Sequence, residues 1–275
     1  MGEISSMARV PCRLAALDLD GTLLNDNHEV TARNCEALRK LSSKEVAVVL
    51  VSGRMHQSIL PISQQIGLAN PIISYNGGMV KHAETHEVYH HTPIPAPLAT
   101  ELVDFCEKRG FHLNYCLDDT LYVKAKTAWS ELYETRTGVP ATALGTLHKL
   151  DGKTPTKLQI IDEPGVVDQL LVECKRVFGG RLYVTRTQIE YIEFMNPEVS
   201  KGRALRALAD RLDIPMRLVV AFGDGYNDET MMSVAGYRVA MGNAIDEIKR
   251  NAHHITDTNH NDGVALAVET LLLDG

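Results

Sequence analysis

The sequence predicts an α/β fold, a doubly wound parallel Rossmann-like core sheet with an inserted α+β cap domain, and three observations predict it. Continuous apolar runs of strand length occur at Leu14 to Leu17, Val46 to Val51 and Leu218 to Phe222, as strands buried on both faces require. Segments with helical apolar spacing alternate with these runs up to Gly78 and again after Ser200, the rhythm of a parallel sheet. Between the two stretches the strands become shorter and more polar. The expected organisation is a discontinuous core, residues 1–82 and 196–275, with residues 83–195 inserted as a lid.

Taken in order, the first strand breaks into the turn Asp18-Leu19-Asp20-Gly21-Thr22, followed by Leu23-Leu24 and the polar segment Asn25 to Glu29. Behind Thr31, a suitable N-cap, Ala32, Cys35, Leu38 and Leu41 recur at helical spacing. The strand Val46 to Val51 ends at Ser52-Gly53-Arg54. A helix through Ile59, Ile62 and Ile66 stops at Gly67, and Pro71 to Ser74 and Asn76-Gly77-Gly78 follow. In the lid, strands are expected at Val88 to His90, Phe111 to Tyr115, Leu121 to Lys124, Lys157 to Ile161, Leu182 to Thr185 and Tyr191 to Met195. One lid helix carries Leu98, Leu102, Phe105 and Cys106 and stops at Gly110. The other carries Val167, Leu170, Leu171, Cys174 and Phe178 and stops at Gly179-Gly180, a left-handed glycine cap. After Ser200, Leu205, Leu208, Ala209 and Leu212 mark a helix with Pro215 just past its end. Asp262 reads as the N-cap of a final helix through Leu266 to Leu272.

A chain of 275 residues is long enough for about two domains and for a core that needs no staples. Its five cysteines, Cys12, Cys35, Cys106, Cys116 and Cys174, form no CxxC, which points to reduced thiols and a cytoplasmic location. No apolar run approaches the length of a membrane span. Met1 to Val10 lacks the pattern of a secretory signal and reads as a loose leader, with Met7 as an alternative start. A net charge of −7, a single tryptophan (Trp129) and the lack of a basic cluster interleaved with aromatics argue against a nucleic-acid partner. An anionic small substrate needs locally placed cations to overcome that global field.

The chemistry concentrates at strand ends. Asp18 and Asp20 are spaced i, i+2, so both carboxylates leave the strand in one direction, and Gly21 permits a tight backbone path. Such a pair can hold a divalent cation and do covalent chemistry on phosphate. Ser52, Gly53 and Arg54 end the second strand; Asp224, Asn227 and Asp228 follow the late one; Lys201 opens a helix behind Ser200. Ligands of an open parallel sheet bind beyond these C-terminal strand ends. A cation in a helix's first turn opposes the helix dipole, so Lys201 requires a local reason. Asn227 and Asp228 can also cap the helix that ends at Gly236, and Arg54 fits a structural ion pair. Phosphate-monoester hydrolysis is among the slowest uncatalysed reactions, so several such groups must act together.

In this order and spacing, Asp18-Leu19-Asp20-Gly21-Thr22, Ser52-Gly53-Arg54, Asn76-Gly77, Val199-Ser200-Lys201-Gly202, Gly223-Asp224-Gly225-Tyr226-Asn227-Asp228 and Asn261-Asp262-Gly263-Val264-Ala265 resemble the haloacid dehalogenase-like phosphatases, and more closely their Cof-type branch with a large α/β lid. The resemblance implies a Mg2+-dependent phosphatase of small phosphorylated metabolites, sugar phosphates or phosphorylated cofactors. It implies Asp18 as the nucleophile that becomes an aspartyl-phosphate and Asp20 as the acid and then the base. The metal would be held by Asp18, the Asp20 backbone carbonyl and Asp224, with Asp228 supporting it from behind. Ser52, the backbone of Gly53 and Leu19, Lys201 and Asn227 would hold the phosphoryl group. Two further readings stay open: a phosphomutase of the same superfamily, and a phosphate-sensing module without turnover. In the lid, Arg186, Tyr191 and Glu193 are candidates for facing the site, with a surface ion pair as the other reading of Arg186 and Glu193.

Two motifs are decoys. His86-Glu87-Val88-Tyr89-His90 spells the zinc-peptidase pattern HExxH, which works only on a helix, and its flanks of threonine and proline predict an extended segment. Asp257, Asn259 and Asn261 mimic the start of a calcium loop, but glycine arrives one residue late and Val268 occupies the position that requires an acid.

Overall fold

A computed structural model describes residues 9–273 of the chain, and the expected leader lies largely outside them. In chain order the strands are β1 (Leu14–Asp18), β2 (Ala47–Val51), β3 (Pro71–Ser74), β4 (Met79–His82), β5 (Val88–His91), β6 (His112–Leu117) and β7 (Thr120–Val123). They continue as β8 (Ala141–Ala143), β9 (Lys157–Ile161), β10 (Tyr183–Gln188), β11 (Tyr191–Met195), β12 (Val219–Gly223), β13 (Tyr237–Ala240) and β14 (His254–Ile255). The α-helices are α1 (Ala32–Ser42), α2 (His56–Ile66), α3 (Ala96–Arg109), α4 (Ala128–Thr137) and α5 (Pro164–Phe178). After them come α6 (Lys201–Arg211), α7 (Glu229–Val234), α8 (Asp246–Asn251) and α9 (Gly263–Ala267). The chain divides into two compact units. The first comprises the chain up to Gly53, Ile59–His90 and everything from Ser200; the second comprises Arg54–Ser58 and His91–Val199.

The first unit is built on a sheet of order β14-β13-β12-β1-β2-β3-β4-β5. The strands from β14 to β3 are parallel, and β4 returns antiparallel to β3. Every residue of β1 and β12 is buried, which is why their sequences are continuous apolar runs rather than alternating ones. From β1 the chain winds outward through β2 and β3; it later returns to β12 on β1's other edge and winds outward through β13 and β14. The β1–β12 pair is therefore the topological switch point, and its carboxyl end is where such a sheet takes a ligand. Register then fixes the neighbours. Asp18 pairs with Val51 and Leu17 with Phe222, so Ser52 and Gly223-Asp224 flank Asp18.

Local chemistry sets the helices around this point. The Thr31 hydroxyl accepts from the Asn34 amide at 3.2 Å and caps α1, which buries Cys35, Leu38 and Leu41. Ser200 accepts from the Arg203 amide at 3.1 Å and caps α6, which buries Leu205, Leu208 and Ala209. The turn Tyr75–Gly77 packs against the start of α6 through Gly77, which has φ +100°; a Cβ there would stand 2.3 Å from the Ser200 carbonyl oxygen.

The second unit has a six-stranded sheet of order β10-β11-β9-β6-β7-β8, antiparallel except for the β7–β8 pair. One face carries Leu113, Tyr115, Leu158, Ile160, Ile192 and Phe194 into a common core with α3 and α5. The alternate residues form a buried polar ladder. Asn114 Nδ2 donates to Gln159 Oε1 at 3.1 Å, and Gln159 Nε2 (3.2 Å) and Lys157 Nζ (2.7 Å) both donate to Glu193 Oε1. Glu193 is thus a buried ion-pair partner rather than a surface one. Arg186 pairs with Asp168 at 2.5 Å, and the Tyr191 hydroxyl accepts from Arg136 at 3.0 Å.

Three expectations are corrected. Strand β5, expected in the lid, lies beside β4 at the edge of the first sheet, because the turn His82–Glu87 (His82 N–H to Glu87 C=O, 2.9 Å) folds it back as a hairpin. As their flanks predict, the HExxH residues lie on that turn and strand, not on a helix. Asp262 does not cap by its side chain: it sits in the left-handed region at φ +57°, and its carboxylate accepts from the Thr31 hydroxyl at 2.6 Å. After α5 the left-handed residue is Gly180, at φ +87°, whereas Gly179 has φ −57° and lacks room for a Cβ 2.2 Å from the Lys175 carbonyl oxygen. Helix α4 and strand β8 were not anticipated. Polar end signals hold α4, the Thr127–Ser130 capping box and left-handed Gly138, where the apolar period is weak.

Candidate active site

The acidic turn after β1 closes on itself through backbone bonds: Leu23 N–H to Asp18 C=O (3.3 Å) and both Thr22 and Leu24 N–H to Leu19 C=O (3.2 and 2.9 Å). This compact loop leaves Asp18 4% exposed at the sheet's carboxyl end, while the Asp20 side chain is about half exposed (46%). Glycine is required inside it. Gly21 has φ +83°, and a Cβ there would fall 2.4 Å from Asp224 Oδ2. The same closeness lets Thr22, wholly buried, donate its hydroxyl to Asp224 Oδ1 at 2.8 Å.

Lys201 supplies the local reason that its place in a first helical turn demanded. Its Nζ, buried at the start of α6, donates to Asp18 Oδ1 at 2.5 Å and to Asp228 Oδ1 at 2.7 Å. Asp228 Oδ2 in turn accepts from the Asp224 and Gly225 amides, each at 3.0 Å. Both Asp228 oxygens are therefore occupied, and its side chain does not cap α7, the role open to it from sequence. Asp18, Asp224 and Asp228 each offer an oxygen within 4.8 Å of the others, the one such group of metal-ligating side chains among the described residues. The Asp257 segment forms no comparable cluster there.

Three carboxylates against one lysine leave two negative charges in a buried setting. The titration behaviour expresses this. Burial, then the charge of Asp228, pushes the Asp18 carboxyl well above its ordinary value, against the pull of Lys201. Asp224 is pushed up to about 6, again by burial first and against the Thr22 hydrogen bond. Burial acts to lower the Lys201 pKa, but Asp18 and Asp228 outweigh it and hold the ammonium charged. Hard oxygen donors with an uncompensated charge of two fit a divalent cation of the Mg2+ kind.

The remaining expected residues gather on the β2 side. Ser52 is buried with its amide bonded to the Ile73 carbonyl and its carbonyl to the Asn76 amide, both at 2.9 Å. A Cβ on Gly53 would meet the Asn76 amide group at 3.0 Å, and Asn227 Nδ2 donates to Asn76 Oδ1 at 3.3 Å. Asn76 thus links Gly53 to Asn227, a part that the Asn76-Gly77 motif signalled without specifying. Thr22 was in plain view inside the acidic motif, yet its partner lies 202 residues away. Asn243, whose amide holds the Gly21 carbonyl at 2.7 Å, gave no sequence signal.

A model of the haloacid dehalogenase-like hydrolases matches residues 15–268. Phosphatase YwpJ of Bacillus subtilis (strain 168) is 30% identical over 285 residues, spanning 94% of this chain and 100% of that protein. The 5-amino-6-(5-phospho-D-ribitylamino)uracil phosphatase YitU of the same organism is 30% identical over 259 residues, spanning 92% and 94%. Among solved structures, TM0651 from Thermotoga maritima is similar with a TM-score of 0.88 and 32% identity, covering 96% of this chain and 98% of that one.

Proposed function

Since the chain belongs to the haloacid dehalogenase-like hydrolases, and to the phosphatases among them, we propose that it is a Mg2+-dependent phosphatase of small phosphorylated metabolites, sugar phosphates or phosphorylated cofactors, working through an aspartyl-phosphate on Asp18. The observation that carries this reading is the Lys201 ammonium bridging Asp18 and Asp228 beside Asp224. Asp18, Asp224 and the Asp20 backbone carbonyl would hold the ion, with Asp228 behind them because its own oxygens are already bonded. When bound, Mg2+ offsets the charge of the nucleophile and the phosphate that must approach each other.

An Asp18 oxygen attacks phosphorus, and the bond to the leaving oxygen breaks as Asp20 gives that oxygen a proton. Asp20 then takes a proton from the water that attacks the same phosphorus, which releases phosphate and restores Asp18. Lys201 pulls Asp18 toward its ionised form, against burial and Asp228, and offsets charge on the phosphoryl oxygens. The Ser52 hydroxyl, the backbone N–H groups of Gly53 and Leu19, and the Asn227 amide donate to those oxygens. The insertion, residues 83–195 as read from sequence, acts as the lid that excludes water during attack and selects the leaving group. The reaction belongs to the cytoplasm, in keeping with five unpaired cysteines.

The test is phosphate release from a panel of phosphorylated sugars and cofactors, with Mg2+ and then with excess EDTA. Release that EDTA stops and Mg2+ restores supports the reading; release indifferent to EDTA contradicts it. An isomerised product without free phosphate would replace hydrolysis by mutase chemistry.

A further inference from the structure

Strand β3 runs into a tight turn in which three successive residues, Tyr75, Asn76 and Gly77, have φ of +52°, +55° and +100°. Glycine takes that left-handed region freely, but Tyr75 and Asn76 carry a Cβ and are disfavoured there. The surroundings impose it. Tyr75 is wholly buried, the Asn76 amide donates to the Ser52 carbonyl at 2.9 Å, and the Gly78 amide donates to the Tyr75 carbonyl at 2.9 Å. Backbone held in this way points to function where a side chain makes use of it. Here that side chain is Asn76. It is 7% exposed and occupies space that Gly53 leaves open, since a Cβ on Gly53 would stand 3.0 Å from both Oδ1 and Nδ2. Its Oδ1 accepts from Asn227 Nδ2 at 3.3 Å. Asparagine tolerates a left-handed φ, but glycine suits it better, so backbone shape alone does not account for a carboxamide at this position.

We propose that Asn76 is a positioning residue for Asn227, holding its carboxamide with the N–H end toward the phosphoryl group of the substrate. The inference rests on the reading of Asn227 as a donor to that group. The Asn227 backbone is fixed by its turn, where the Asp228 amide donates to the Gly225 carbonyl at 3.0 Å and Asp228 Oδ2 accepts from the Asp224 and Gly225 amides. Its side chain is exposed, and Asn76 Oδ1 is the one hydrogen-bond partner it has among the described residues. A carboxamide carries two donors at one end and an acceptor at the other. Turned over, Asn227 would set its oxygen against Asn76 Oδ1 and would no longer offer an N–H to a phosphate dianion. The bond to Asn76 uses one Nδ2 hydrogen, selects the productive orientation, and leaves the second hydrogen for a phosphoryl oxygen.

Asn76→Gly removes the carboxamide and keeps the left-handed backbone, so it separates use of the side chain from support of the fold. With Mg2+ and p-nitrophenyl phosphate, it is expected to lower kcat/KM about five-fold, the scale of one neutral hydrogen bond. Asn227→Ala is expected to lower it by at least about ten-fold, because it removes a bond to a charged group. The double variant supplies the readout that a merely structural role would not move. If Asn76 acts through Asn227, adding Asn76→Gly to Asn227→Ala costs less than about two-fold; damage to the turn, or to Ser52 and Gly53, costs the same in either background. An unchanged kcat/KM in Asn76→Gly, or equal losses in both backgrounds, would overturn the inference. The same variants keep it apart from the reading it rests on. A wild-type protein that releases no phosphate removes both. If Asn227→Ala costs nothing, the role of Asn227 falls and that of Asn76 with it; if Asn227→Ala costs the expected amount and the losses add, only the positioning role falls.

Discussion

At the scale of single residues, the site is an electrostatic balance around Lys201. Removing its ammonium leaves Asp18 and Asp228 buried without their cation, and breaking such a pair costs about 3–5 kcal/mol. Lys201→Met is therefore expected to lose that much stability in urea unfolding without Mg2+, and turnover with it; a change below about 1 kcal/mol would contradict the balance described. The raised Asp224 pKa gives a second prediction with a definite sign. An acid raised from 3.8 to about 6 keeps its proton in the folded state where the unfolded chain has released it. Its contribution to stability is full below pH 3.8 and is lost as pH rises through about 6, on the order of 2–3 kcal/mol. Unfolding of the metal-free protein across this window should show that loss, and added Mg2+ should reverse it above pH 6 because the ion binds the ionised carboxylate. A profile that Mg2+ does not alter would argue against Asp224 as a ligand. Asp18, Lys201 and Asp224 were legible in the sequence because each follows a strand or helix-start signal. The bond from Thr22 to Asp224 was not, since it depends on side-chain reach after distant segments have met.

At the scale of elements, helix α6 is positioned twice, by its cap and by the glycine packed on its first turn. Ser200→Ala removes the hydroxyl that accepts from the Arg203 amide and is expected to cost about 1 kcal/mol, read by chemical denaturation. Gly77→Ala should do more, over about 2 kcal/mol, because it forces a Cβ both against the Ser200 carbonyl and into a left-handed φ. If Gly77→Ala proves neutral, the close approach of turn and helix is wrong. Elements were read well where burial dictates pattern: β9 and β11 fall where the sequence placed them, and the Thr31 and Ser200 caps form. They were read poorly where local polar geometry decides. Helix α4 rests on its caps, Asp262 adopts a left-handed turn instead of capping, and β5 joins the sheet its hairpin turn leads to.

At the scale of the molecule, the order of the strands makes the site. Because winding reverses between β1 and β12, residues from distant parts of the chain converge on one end of one sheet, and Lys201 reaches Asp18 across 183 positions of sequence. The alternation of strand and helix announced this architecture, since apolar runs buried on both faces have few other homes. The second unit's polar ladder could not be foreseen from strand periodicity alone, which marks one face as polar without saying that it is buried. No helix among the described residues is long and apolar enough to cross a membrane. The central claim is that Asp18 is the group that takes the phosphoryl, and acid-quenched turnover followed by peptide mass analysis tests it most directly. The expected result is a phosphoryl group on the peptide containing Asp18, lost together with turnover, by at least about 10³-fold, in Asp18→Asn. Undiminished phosphate release by Asp18→Asn would contradict it.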